Sequence, residues 1–169
     1  MLSFIGVFKT AFGDAIMLKM NAAYLVPAFP ILIATLTIVP RIDAVVGQRM
    51  SFLLRVTIPM VVLALLMFIF PAVAGGGGGE PWVMAVSVLT GIFGAFSYGS
   101  LTQLISVLPP VLAKLLSASF FCPGFFFLLL DSATEMNTNP SPEANATHWY
   151  AAGALTMVGL ISFLSLLYS

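Results

Sequence analysis

Charge is what this chain has least of. Lysine and arginine together number six, aspartate and glutamate six, 7% of 169 residues, and the formal net charge is zero. With no basic run to neutralise a phosphate backbone, nucleic acid is not expected as a partner. Histidine and cysteine are nearly absent too, His148 and Cys122 being the only ones. A lone cysteine cannot close an intramolecular disulfide. With one residue of each kind, neither a His/Cys metal site nor a Cys-His nucleophile pair is expected. Cys122 reads as a small, packed apolar residue. The balance is apolar: 60% of the residues are hydrophobic and the mean hydropathy is +1.11, more than a soluble domain of this length can hide in one core. The expected fold class is all-α and integral to a membrane, a polytopic helical bundle whose first partner is the lipid bilayer. No paired carboxylates and no histidine fall at the centre of an apolar stretch, so neither enzymatic activity nor a cofactor is expected.

A bilayer core of about 30 Å takes roughly 20 apolar residues per spanning helix. Five stretches of that kind stand between charges and turn signals, approximately 20–40, 52–74, 82–106, 111–130 and 148–168. The connections between them, "RIDAVVGQRM", "GGGGGEP", "VLPP" and "DSATEMNTNPSPEANAT", hold the Gly, Pro, Asn and charged residues that lipid-exposed backbone cannot accommodate. Arg41, Arg49, Arg55 and Lys114 border the connections on one side, while Glu80, Asp131, Glu135 and Glu143 lie in the opposite ones. The basic side is expected to be cytoplasmic. The N-terminus then lies outside or in a lumen and the C-terminus in the cytoplasm of a plasma or organellar membrane, although Lys9 and Lys19 fall on the other side.

Residues 1–19 are apolar but broken by Lys9 and Asp14, too short in each run to span. A cleaved signal peptide is one reading. The charge sits in the middle rather than ahead of the apolar run, which favours the end of a truncated helix. The abrupt start and the stop just after a spanning helix suggest a piece of something longer. Gly75–Gly79 lacks the Gly-Lys-Ser/Thr ending of a phosphate loop and reads as a flexible connector. Asn145-Ala146-Thr147 matches the glycosylation acceptor pattern but abuts a helix start, so it is expected to be unused.

The stretch "GIFGAFSYGSLTQLISVLPP", residues 91–110, raises the sharpest question, because a helix facing only lipid gains nothing from so many small and hydrogen-bonding residues. Gly91, Ala95 and Gly99 share one face, a pattern that lets a neighbouring backbone approach closely. Gly94 lies near that face and Tyr98 one turn beyond it. Tyr98 offers a ring for stacking and a hydroxyl for hydrogen bonding, and reads either as a ligand contact or as an interhelical tyrosine. Pro123-Gly124 should kink the 111–130 span, and Pro27, Pro30 and Pro59 suggest similar interruptions in the first two. Broken helices of this kind line the cavities of transporters and also occur as packing kinks.

With these spans in place, "FGAFSYGSLTQLISVLPP" resembles the fourth transmembrane helix of the equilibrative nucleoside transporter family. That family's pattern runs Phe-Gly-Ala, then Gly-Ser-Leu after three residues, then Leu and a closing Leu-Pro. Here these are Phe93, Gly94, Ala95, Gly99, Ser100, Leu101, Leu104, Leu108 and Pro109. "YLVPAFPILIATL" is similar to the second helix, "LLRVTIPMVVLALLMF" to the third, and "SASFFCPGFFF" to the fifth. The resemblance covers almost the whole chain, from the end of helix one through helix six. It implies about five transmembrane helices forming half of a major-facilitator-like fold, with the second half of the transporter missing. It further implies a facilitative carrier for a nucleoside or nucleobase permeant, working by alternating access, whose substrate-facing positions fall on Leu25, Ala28, Gly94 and Tyr98. The family commonly has glutamine where Tyr98 stands, an amide that can bond a nucleobase edge, so base preference does not carry over. Ala118-Ser119-Phe120 likewise replaces positions that tend to be glycine. Gln103 brings an amide nearby but on another face. The alternative is a non-transporting polytopic subunit or scaffold, in which the small residues serve assembly alone.

Overall fold

The computed structural model describes residues 8–9, 11–75, 79–107, 109–111, 113–114, 129–130, 132–133 and 141–168. Four long helices dominate them: α1 (Ile16–Val46), α2 (Gln48–Gly75), α3 (Gly79–Val107) and α4 (Pro142–Tyr168). The shortest has 27 residues, about 40 Å at roughly 1.5 Å per residue, enough to cross a hydrocarbon core of about 30 Å. All four are long and apolar enough to span a membrane, and the chain is a multi-pass helical membrane protein. The span expected at 111–130 lies mostly outside the described residues, as do Pro123-Gly124, Cys122 and Ala118-Ser119-Phe120.

Several boundaries differ from the sequence reading: α1 runs on to Val46 and α2 starts at Gln48, so the expected connection "RIDAVVGQRM" is helical on both sides of Gly47. α1 begins at Ile16 rather than near residue 20, because the chain turns at Gly13, where φ is +87°. α4 begins at Pro142, drawing "EANAT" into its first turns rather than leaving it in the connection. Proline suits a first helical position, where its missing N–H has no partner to lose. α1 also runs without interruption past Pro27, Pro30 and Pro40. The reversal between α1 and α2 is made in one residue. Gly47 sits at φ +89° and its N–H donates to the Asp43 carbonyl at 3.1 Å, a conformation that a Cβ would strain.

Spatial order does not follow chain order. α3 packs extensively on both α1 and α2, and α4 packs on α2, while α1 and α2 touch little. The sequence runs α1-α2-α3-α4 and the bundle runs α1-α3-α2-α4. At one end, the first turns of α1, α3 and α4 meet the last turns of α2 around a core of Ile16, Leu66, Phe70, Val83 and Val86, with Phe8 buried among them. The Phe70 ring lies 4.4 Å from Trp149 and 5.7 Å from Phe8, centroid to centroid.

The small residues of α3 explain its central place. A Cβ on Gly91 would overlap the Tyr24 carbonyl of α1 and stand 3.0 Å from the Tyr24 Cα. A Cβ on Gly99 would come within 3.1 Å of the Thr35 Cγ2. Ala95, between them, is buried. Three hydroxyls of α3 donate to carbonyls one turn back: Ser87 to Val83 at 2.8 Å, Thr90 to Val86 at 2.8 Å and Ser100 to Phe96 at 2.9 Å. They are satisfied inside their own helix, which lets them pack as small groups.

Adding a methyl at Gly91 therefore meets backbone rather than a side chain that can rotate away. Gly91→Ala is expected to destabilise by about 1–3 kcal/mol or more through overpacking. Gly159→Ala, whose Cβ would meet only the Met60 Cε at 3.7 Å, is expected to be neutral or slightly stabilising. Thermal unfolding of the two purified variants in detergent, beside the parent, checks the contrast.

Candidate functional site

Leu25, Ala28, Gly94 and Tyr98 line one cavity of about 360 Å³ between α1 and α3, together with Tyr24 and Phe29. Helical periodicity accounts for the convergence. Leu25, Ala28, Phe29 and Leu32 recur at three- and four-residue steps along α1, and Gly94, Ala95 and Tyr98 occupy one turn of α3. The cavity opens on the outside of the bundle, with Leu25 61% and Tyr98 50% exposed. Its walls are apolar apart from the hydroxyls of Tyr24 and Tyr98. Gly94 differs here from Gly91: a Cβ on it would stand 3.4 Å from the Tyr24 hydroxyl, ordinary contact. Gly91 and Gly99 hold the helices together, whereas Gly94 leaves room.

Gln103 faces elsewhere, as its spacing from Tyr98 implies. It belongs to a polar cluster that the sequence reading did not contain. Arg55, on α2, is buried at 6% exposure. Its Nη2 donates to both carboxylate oxygens of Asp43 on α1, at 2.9 and 3.2 Å, and its Nη1 donates to the Gln103 Oε1 on α3 at 2.8 Å. The Nε donates to the Ser51 carbonyl at 3.2 Å, and the guanidinium carbon lies 5.9 Å from the centre of the Phe52 ring. The Gln103 amide nitrogen in turn reaches the Thr35 carbonyl of α1 at 3.5 Å. Arg55 is thus not a free cation bordering a connection but the centre of a network joining three helices. The available signal was an aspartate one turn before a helix-ending glycine and an arginine two turns after it, which a count of positive charges alone overlooks.

At the opposite end the ions are more exposed. Lys19 of α1 pairs with Glu80 of α3 at 2.5 Å, and Lys9 with Asp14 at 3.2 Å. Pairs of this exposure contribute little. Asn145 of the glycosylation pattern is buried within α4, and its Oδ1 accepts a hydrogen bond from the Trp149 Nε1 at 3.2 Å. Among the described residues, no group of His, Cys, Asp or Glu is placed to hold a metal ion. No family model, curated protein or solved structure matches the chain.

Two outcomes follow from these contacts. Arg55→Met strands a partly buried carboxylate and is expected to destabilise by about 3 kcal/mol, whereas the double variant Arg55→Met/Asp43→Leu recovers most of the loss. Thermal melts of both in detergent read the difference. Asn145 is expected to stay unmodified, so endoglycosidase treatment of protein made in a glycosylating host should leave its gel mobility unchanged.

Proposed function

We propose that this chain is part of a facilitative carrier for nucleosides or nucleobases, moving its permeant down a gradient by alternating access. The observation that supports the reading is the convergence of Leu25, Ala28, Gly94 and Tyr98 on one cavity, the four positions that the resemblance to equilibrative nucleoside transporters assigns to the permeant. Among the described residues, no carboxylate or cation lines that cavity. It suits a neutral, planar ring, held by stacking on tyrosine and by phenolic hydrogen bonds. No bond in the permeant is made or broken. On this reading the chain forms half of a major-facilitator-like bundle, with its N-terminus outside or in a lumen and its C-terminus in the cytoplasm. A second half closes the cavity that α1 and α3 leave open, and alternate exposure of the cavity moves the permeant.

A non-transporting scaffold is the second reading, and the packing role of Gly91 and Gly99 favours it. Gly94 separates the two. The Cβ of Gly94→Leu would meet only the Tyr24 side chain, and the rest of the branched side chain stands at a position that lines the cavity. In transporter-deficient cells expressing the complete gene product, saturable uptake of radiolabelled uridine, adenosine or hypoxanthine is expected. Gly94→Leu should abolish it while surface biotinylation stays near the parent level, and Leu101→Ala should change uptake little. No saturable uptake of any permeant by the parent protein overturns the carrier. Loss of uptake and surface protein together in Gly94→Leu returns that glycine to packing.

A further inference from the structure

A second cavity lies where all four helices converge. About 200 Å³ in volume, it is lined by Met17, Met20 and Asn21 of α1, Met67 of α2, Ser87 and Thr90 of α3, and Trp149 of α4. It shares only Tyr24 with the cavity around Gly94 and Tyr98. We propose that it is a separate binding site for one neutral heteroaromatic ring of nucleobase size, held between the methionines and Trp149 and read along its edge by Asn21, Ser87 and Thr90.

Size, surface and polar groups each point to that ligand. A cavity of about 150 Å³ is enough to hold benzene, whereas drug-sized ligands take roughly 300–1,000 Å³; the volume here therefore admits a single or fused ring and little more. The walls carry three thioethers and an indole. Methionine sulfur contacts aromatic rings favourably and its flexible chain adapts to their outline, and the indole adds a face for stacking. A purely hydrophobic guest would leave the remaining groups unused. The Asn21 amide brings a donor and an acceptor side by side, the arrangement that pairs with the edge of adenine. The hydroxyls of Ser87 and Thr90 donate to their own helix, which leaves their oxygens as acceptors for a ring N–H or exocyclic amine. Among the described residues no charged side chain lines the cavity, and none of them offers a counter-ion to a phosphorylated ligand. The choice of a nucleobase-like probe rests on the carrier reading; the site itself rests on its own walls.

The two tryptophans of the sequence, Trp82 and Trp149, make the test direct. Trp82 is 60% exposed at the start of α3, so Trp82→Phe leaves Trp149 as this sequence's reporter, inside the second cavity and absent from the first. Titrating purified Trp82→Phe protein in detergent with adenine, uracil and hypoxanthine should quench Trp149 emission saturably for at least one of them. Adding Asn21→Leu, or the isosteric Thr90→Val, should weaken that binding by about tenfold, while Tyr98→Ala should leave it unchanged. Absence of saturable quenching in protein that remains folded overturns the site. So does quenching that Tyr98→Ala abolishes while Asn21→Leu and Thr90→Val leave it intact. Uptake without quenching removes this site and keeps the carrier; quenching without uptake does the reverse.

Discussion

A guanidinium removed from water dictates much of this bundle. Arg55 is surrounded by α1, α2 and α3, and a buried cation is tolerated only if its donors are met and its charge opposed. Asp43 supplies the charge, and Gln103 and the Ser51 carbonyl supply the remaining acceptors. Every partner lies on a different turn, and two lie on other helices. Sliding any of the three helices by a residue would break the set, so the network fixes register in a structure whose apolar contacts alone would permit slippage. Leucine against leucine is as good as leucine against lipid, and hydrocarbon offers little preference among registers.

Close approach does the rest. Gly91 and Gly99 bring α3 against the α1 backbone at Tyr24 and Thr35. Helices drawn together on one line must part on either side of it, because their larger side chains project there. The two cavities flank that line. The one with Gly94 and Tyr98 opens between α1 and α3, and the one with Asn21 and Trp149 lies toward α2 and α4. Tyr24 touches both because its carbonyl is at the point of closest approach and its ring extends away from it. Small residues here hold helices together and also leave concave space beside the seam.

Apolar length was legible in the sequence because it is a sum over many residues. The stretches 52–74 and 82–106 sit within α2 and α3, and the face shared by Gly91, Ala95 and Gly99 proved to be a packing face. The cavity grouping of Leu25, Ala28, Gly94 and Tyr98 was reached through resemblance rather than periodicity, and the geometry gathers the same four. Illegible were features that depend on which helices become neighbours. Asp43 and Arg55 stand on opposite sides of the Gly47 reversal, and Gln103 arrives from a distant part of the chain. Nothing in local sequence says that α3 will separate α1 from α2. Pro27 and Pro30 remove backbone donors, yet both lie inside the one continuous helix α1.

Asp43 and Arg55 belong to consecutive helices joined by the single residue Gly47, while Gln103 is synthesised much later. The carboxylate and the guanidinium therefore become available to each other as soon as the first two helices exist, before the third partner has been made. The helix that ends up between α1 and α2 has not yet been made at that moment. In the folded bundle it lies between α1 and α2, which touch little, while the Asp43–Arg55 pair still joins them beside the reversal. A one-residue reversal closed by a salt bridge suits that sequence of events, because it holds the two helices at one end and lets them part along the rest of their length.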